Sequence, residues 1–310
     1  MQTTDTVIMV RPNSFKYNKE TAKTNGFMKT LDHLNKELGT NYLESDVWYL
    51  AMKEFYLMTL ALRNNAIFVA ELCSPSETPD AVFPNNWFSL HTPATLVIYP
   101  MEAVSRRRER QVEKLLECLR AFHHPGTRVI TLAYEEKSER FLEGTGSMVL
   151  DRTAKVAYAI ESPRTHRGLF EKWCGLMEHE PIFFHAFDKE NKPLYHTNVV
   201  MGIGDRFAVV CYDAIHARGE QLLVERRLRD ADKAIIPISM NQMYAFCGNL
   251  LQVRSTEGRS HIVLSSTAFN AFDTAEKNEL SLYGNLVPVN IPIIEGLGGG
   301  SARCMMAEVF

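Results

Sequence analysis

Five stretches of this chain repeat one plan, and the near-constant distance between them limits what it can fold into. Each opens on a polar or small residue, continues as an apolar run of strand length, turns, and often gives a second run. The pairs are PDAVFPNNWFSL with TLVIYP, EGTGSMVL with KVAYAIES, HTNVVMGIG with FAVVCYDAI, and CGNLLQV with SHIVLSS. The fifth is the C-terminal SARCMMAEVF, for which the N-terminal TVIMVRP supplies the second strand. With Asp80, Glu143, His196, Asn249 and Cys304 at the heads, the intervals are 63, 53, 53 and 55 (143−80, 196−143, 249−196, 304−249). Spacing of this kind marks five copies of one unit.

Helical patterns fill the intervals. From Ala103 to Phe122, Val112, Leu115, Leu116, Leu119 and Phe122 fall on one face, as expected of an amphipathic helix. Arg106, Arg107, Arg108 and Arg110 near its start are expected on a solvated surface. Glu220 to Lys233 and Asp273 to Leu280 read as exposed helices, and β-branched runs such as TRVITLA, KAIIPIS and LVPVNIP follow the helices. The unit is therefore strand, strand, helix, strand. Repeats of it close most simply into a ring, a five-bladed α/β propeller without open sheet edges. In such a ring the heads of equivalent strands point at the axis, so residues distant in sequence meet in one pocket.

With 310 residues and 45% apolar content the chain is long enough to bury a large core, and no linker or low-complexity tract divides it, so residues 1–310 are expected to form a single domain. A net charge of -3 argues against a nucleic-acid partner and for a small molecule. No basic leader with a long apolar run is present and no membrane-length apolar stretch occurs, which points to a cytoplasmic protein. The six cysteines show no CxxC or Cys-to-His spacing suited to zinc, so reduced thiols and no metal are expected. Most lie in apolar surroundings such as AVVCYD; Cys304 instead follows GLGGGSAR, where three glycines permit unusual backbone and close approach of another molecule.

An aspartate, a glutamate, a histidine and a cysteine among five heads are the types that nucleophilic attack on a cationic or polar carbon requires. The segments MVRPNSF, PDAVFPNNWFSLH, YPMEAVSRRRER, FLEGTGSMVLDR, AYAIESPRT, YHTNVVMGIG, FCGNLLQV and GGGSARCMMAEVF resemble those of the guanidine-modifying, or pentein, superfamily from Val7 to Phe310. Within it the chain is most similar to the arginine deiminase-related, amidinotransferase-type branch, which includes citrulline-utilising hydrolases and is kin to dimethylarginine dimethylaminohydrolase.

The resemblance implies Cys304 as covalent nucleophile, His196 as general acid and base, and Glu143 and Asp80 as carboxylates that hold the substrate's nitrogens. A planar guanidinium offers N–H donors in a fixed fork that two carboxylates can grip. Thiolate attack, expulsion of the amine and hydrolysis of the thioether then cleave a C–N bond without a cofactor. Where arginine deiminases place an aspartate two residues after the histidine, this chain has Asn198, a donor suited to a carbonyl oxygen, which brings citrulline beside arginine and methylarginine as substrate. Arg164, Arg303 and Arg254 are candidates for the α-carboxylate, Asn85, Asn86 and Trp87 for the pocket wall, and Asn249 for the fourth head. Two other readings stay open: amidino transfer to an amine, and a propeller that binds without turnover. A homodimer is also compatible with the sequence.

Overall fold

The apolar runs pair as their spacing requires. The chain, in a computed structural model, is described over residues 1–92, 94–121 and 126–310, and each unit forms its own three-stranded sheet. The sheets contain Phe88–His91, Thr95–Ile98 and Arg128–Thr131; Met148–Asp151, Val156–Ile160 and Glu180–Phe184; and Met201–Ile203, Phe207–Val210 and Ala234–Pro237. The fourth contains Leu251–Arg254, Ser260–Ser265 and Asn285–Val289; the fifth contains Ala307–Val309, Thr6–Arg11 and Phe68–Cys73. In every sheet the first two strands are antiparallel and the third runs parallel to the second, which a hairpin followed by a helical crossover produces. The fifth sheet joins the two ends of the chain, with Val7 opposite Glu308, as the repeat pattern requires.

The sheets close into a ring. Ala307–Val309 packs against Phe88–His91, which contacts the turn at Gly144–Ser147; Met148–Asp151 packs against Met201–Ile203, and that strand against Leu251–Arg254. Ser260–Ser265 meets the turn Ala302–Met305, completing the circuit. Crossover helices cover the outside through one apolar face each. On Arg167–Met177, Leu169, Phe170, Trp173 and Cys174 are buried, and truncating a buried aromatic of this kind costs about 3–5 kcal/mol. The helix Thr274–Ser281 starts on a reciprocal cap, with Asp273 accepting from the Glu276 N–H at 2.8 Å and Glu276 accepting from the Asp273 N–H at 2.8 Å.

Three expectations change. The heads do not start the strands; each lies ahead of its strand, and at Glu143 and His196 one helical turn intervenes, Gly144–Ser147 and Thr197–Val200. The helix expected from Ala103 begins at Val112 and is described to Ala121, so Phe122 lies outside the described residues. Val104–Glu109 forms a tight 3₁₀ turn in which Arg106 is only 2% exposed, against the expectation of a solvated arginine run. The helical pattern ends there because Arg106 is drawn inward by Glu109 of the same turn and by Asp80 and Glu143; Arg108 alone of the four is exposed.

Candidate active site

The EGTGS segment shows how sequence fixes the place of a candidate site residue. Gly144 has φ +47° and lies so close to the Asn85 carbonyl that any Cβ would collide with it. A Cβ on Gly146 would lie 2.7 Å from Nδ1 of His196 and would also strike Asn86. Two glycines thus let the turn press against its neighbours. Ser147 closes it, accepting from the Glu143 N–H at 2.8 Å and donating to the Arg164 carbonyl at 2.8 Å. The next turn is tied on in the same way, Thr197 donating to the Ser147 carbonyl at 2.6 Å.

This places Glu143, which is fully buried, 2.9 Å from Nε2 of His196. Because a carboxylate only accepts, Nε2 carries the proton and the Nδ1 lone pair is left as the base. Burial raises the cost of charge on Glu143, yet Arg164 at 3.6 Å, the His196 bond and Arg106 at 3.8 Å hold its carboxyl down to about 2. Burial dominates at His196 and outweighs Glu143, lowering it to about 4, so the imidazole is neutral at physiological pH.

Cys304, 3% exposed, sits in the turn Ala302–Met305 after the glycine run. That run caps the helix Pro292–Gly298 through Gly299 at φ +64°, while Gly298 and Gly300 pack on the Phe83 ring, where a Cβ would lie 2.7 and 3.0 Å from it. The sulfur faces two amides. Asn198 Nδ2 lies 3.4 Å away and Asn249 Nδ2 3.3 Å away. The same nitrogens donate to the Thr145 and Asn198 carbonyls, at 3.2 and 3.0 Å, which fixes both amide orientations because carbonyls only accept.

Asp80 Oδ2 accepts from Asn18 at 2.7 Å and Thr21 at 3.1 Å, but its Oδ1 is buried without a partner. Burial raises its carboxyl above the ordinary value despite Arg106 nearby. Asp80, His196 and Cys304 line one small cavity together with Asn86, Arg106 and Arg164.

The other predicted residues are placed as follows. Asn86 accepts from Arg106 at 2.7 Å, and its Nδ2 is unpartnered. Arg164 lines the cavity, but its guanidinium already bonds Thr24 at 2.9 Å and the Thr21 carbonyl at 2.9 Å. Asn85 is buried outside the cavity lining and Trp87 is core. Arg303 and Arg254 turn elsewhere, Arg303 to Glu308 at 2.8 Å and Arg254 to Thr3 at 3.2 Å, so neither faces the cavity. Asn198 reaches the sulfur but does not line the cavity. Glu143, too, is spent on His196, Arg106 and Arg164 and does not line the cavity.

Arg106 is the residue that sequence reading missed. It forks onto Glu109 at 2.9 and 3.0 Å and reaches the carbonyls of Asp80 and Phe83. The spacing of Arg106 and Glu109 was the available signal, but three flanking arginines hid it. Asn18, Thr21 and Tyr195 also went unnoticed; Tyr195 donates to the Gly299 carbonyl and lies under Arg164 at 5.1 Å. Among the described residues, no group of three histidine, cysteine or acidic side chains is arranged to hold a metal, and no helix is long and apolar enough to cross a membrane.

Solved structures with the same fold include the substrate-bound N-terminal domain of ArgZ, an arginine dihydrolase of Cyanobacteria, at 14% identity and TM-score 0.72 over 98% of both chains. Unliganded AgrE matches at 15% and TM-score 0.73 over 98% of this chain and 39% of its own. A dimethylarginine dimethylaminohydrolase carrying an S-methyl-L-thiocitrulline adduct matches at 16% and TM-score 0.64 over 99% of this chain and 100% of its own. This chain thus spans about two fifths of the AgrE chain. No curated protein matches it. The model of the family described as N,N dimethylarginine dimethylhydrolase, eukaryotic, matches residues 11–310, and the chain therefore belongs to that family of guanidino-group hydrolases with the pentein fold.

Proposed function

We propose that this chain hydrolyses the terminal guanidino C–N bond of an N-methylated arginine through a thioether on Cys304, giving citrulline and the methylamine. The observation that carries the reading is the convergence of a sulfur, an imidazole and an unpaired carboxylate oxygen, from Cys304, His196 and Asp80, on one cavity. Asp80 Oδ1 takes an N–H of the guanidinium and fixes its plane. The Cys304 thiol passes its proton to Nδ1 of His196 while the Asn198 and Asn249 N–H groups hold the developing thiolate.

Attack forms the C–S bond. The C–N bond then breaks as His196 protonates the leaving amine, and a water deprotonated by the same ring adds to the carbon and expels the thiolate. Glu143 orients the ring and stabilises it when charged. The role assigned to Glu143 thus shifts from holding substrate to positioning His196.

Arginine itself is the second reading, favoured by the higher structural similarity to the arginine dihydrolase ArgZ. The test is incubation with arginine, monomethylarginine, dimethylarginine and citrulline separately, reading ammonia, methylamines, citrulline and ornithine. Methylamines support the first reading and ammonia from arginine the second. Undiminished turnover by Cys304→Ala, or no amidino adduct on Cys304 in acid-quenched enzyme by mass spectrometry, overturns the mechanism.

A further inference from the structure

A second cavity, of about 260 Å³, lies at the far end of two neighbouring sheets from Cys304. The first strand of the second sheet, Met148–Asp151, begins at the catalytic turn and runs outward, so Arg152 and Lys155 occupy its distal hairpin. His179 leads into the third strand of the same sheet at that end, and Arg128 opens the third strand of the adjacent sheet. All four residues line the cavity, with His91.

Its positive charge is poorly neutralised. Arg128 and Lys155 are exposed, and no ion pair reaches either among the described residues. Arg152 is 3.5 Å from Glu308 but shares that carboxylate with Arg303, which holds it at 2.8 Å. The acidic side chain on the lining is Glu178, which is exposed. His91 Nδ1 lies 3.0 Å from Arg152, so it accepts and the ring is neutral. Burial first, then Arg152, His179 and Lys155, push its basicity down. His179, 8% exposed, donates from Nδ1 to the Met177 carbonyl at 2.7 Å, and its Nε2 has no partner.

We propose that this cavity binds a phosphate group, as the free ion or as the monoester of a small metabolite. Two unpaired cations and a third only partly paired match a dianion better than a monocarboxylate, and guanidinium forks fit phosphate oxygens in bidentate fashion. His179 lines the same cavity, so an anion held there by Arg128, Arg152 and Lys155 alters the surroundings of its ring.

The test is calorimetric titration of the full chain, in a phosphate-free buffer at matched ionic strength, with inorganic phosphate, glycerol phosphate, acetate and chloride. The variant is Arg128→Ala with Lys155→Ala, two exposed side chains remote from Cys304. Saturable one-site phosphate binding in the wild type, weakened at least tenfold in the variant with an unchanged melting temperature, is the expected result. Tighter binding of glycerol phosphate assigns the site to an ester, tighter binding of inorganic phosphate to the free ion. The side-chain resonances of His179 shift during the titration. Absence of saturable phosphate binding, equal affinity in the variant, equal heats from acetate and chloride, or unmoved His179 resonances would each overturn the proposal.

Discussion

The Asn249 side-chain nitrogen lies 3.3 Å from the Cys304 sulfur, held there by its second bond to the Asn198 carbonyl. Hydrogen bonds to charged groups contribute about 1.5–3 kcal/mol, so this N–H stabilises the negative charge that develops on the sulfur as it reacts. Asn249→Ala is expected to slow alkylation of Cys304 by iodoacetamide by roughly tenfold or more at neutral pH, with kcat/KM falling in parallel. Asn249→Asp, which sets a negative charge beside the sulfur, is expected to be slower still. Unchanged alkylation in both variants counts against the amide's role.

Gly146 faces the imidazole so closely that one methyl group must move the ring, since a Cβ would lie 2.7 Å from Nδ1 of His196. Displacing a catalytic group by about 1 Å costs on the order of 10²-fold. Gly146→Ala is therefore expected to lower kcat by about that factor while circular dichroism stays that of the wild type. An alanine variant of full activity would mean that His196 is not the acid and base.

Acid weakens the fold through the same pair. The unfolded histidine binds a proton below about 6.5 and the folded His196 only below about 4, so the unfolded chain takes up protons first and stability falls as pH drops through that window. Glu143 acts lower: its stabilisation is present above the ordinary 4.5 and is lost as pH falls toward about 2. Urea unfolding is expected to lose roughly 3 kcal/mol from His196 between pH 6.5 and 4, and His196→Gln to lose correspondingly less, the other histidines acting alike in both. Equal losses would refute a depressed His196.

Removing Arg106 leaves three buried carboxylates, Glu109, Asp80 and Glu143, short of one cation. Breaking a buried pair from one side costs about 3–5 kcal/mol, so Arg106→Leu is expected to lower the urea midpoint accordingly. Burial already lifts Glu109 to about 7, and Glu109→Gln added to Arg106→Leu is expected to restore part of the loss. No restoration would show that Arg106 serves Asp80 and Glu143 alone.

The repeat spacing contained the sheets, the pairing of chain ends and the convergence of Asp80, His196 and Cys304, because strand period and turn chemistry are local properties. The two glycines of EGTGS and the run before Cys304 were visible too, although their reason, the close approach of Asn85, His196 and Phe83, lies in other units. Arg303 illustrates the opposite: adjacency to Cys304 suggested substrate binding, yet the turn at Ala302–Met305 sends the neighbouring side chains to opposite sides, Arg303 to Glu308 and Cys304 to the cavity.

From its own order of residues this protein fixed five sheets in a ring and which side chains stand at their inner ends. Only the folded chain decided that Arg106 is interior, that Glu143 serves His196, and that two amides face the sulfur. Periodicity reports how a side chain leaves its own backbone; which charge neutralises which depends on distances between units that meet only when the ring closes.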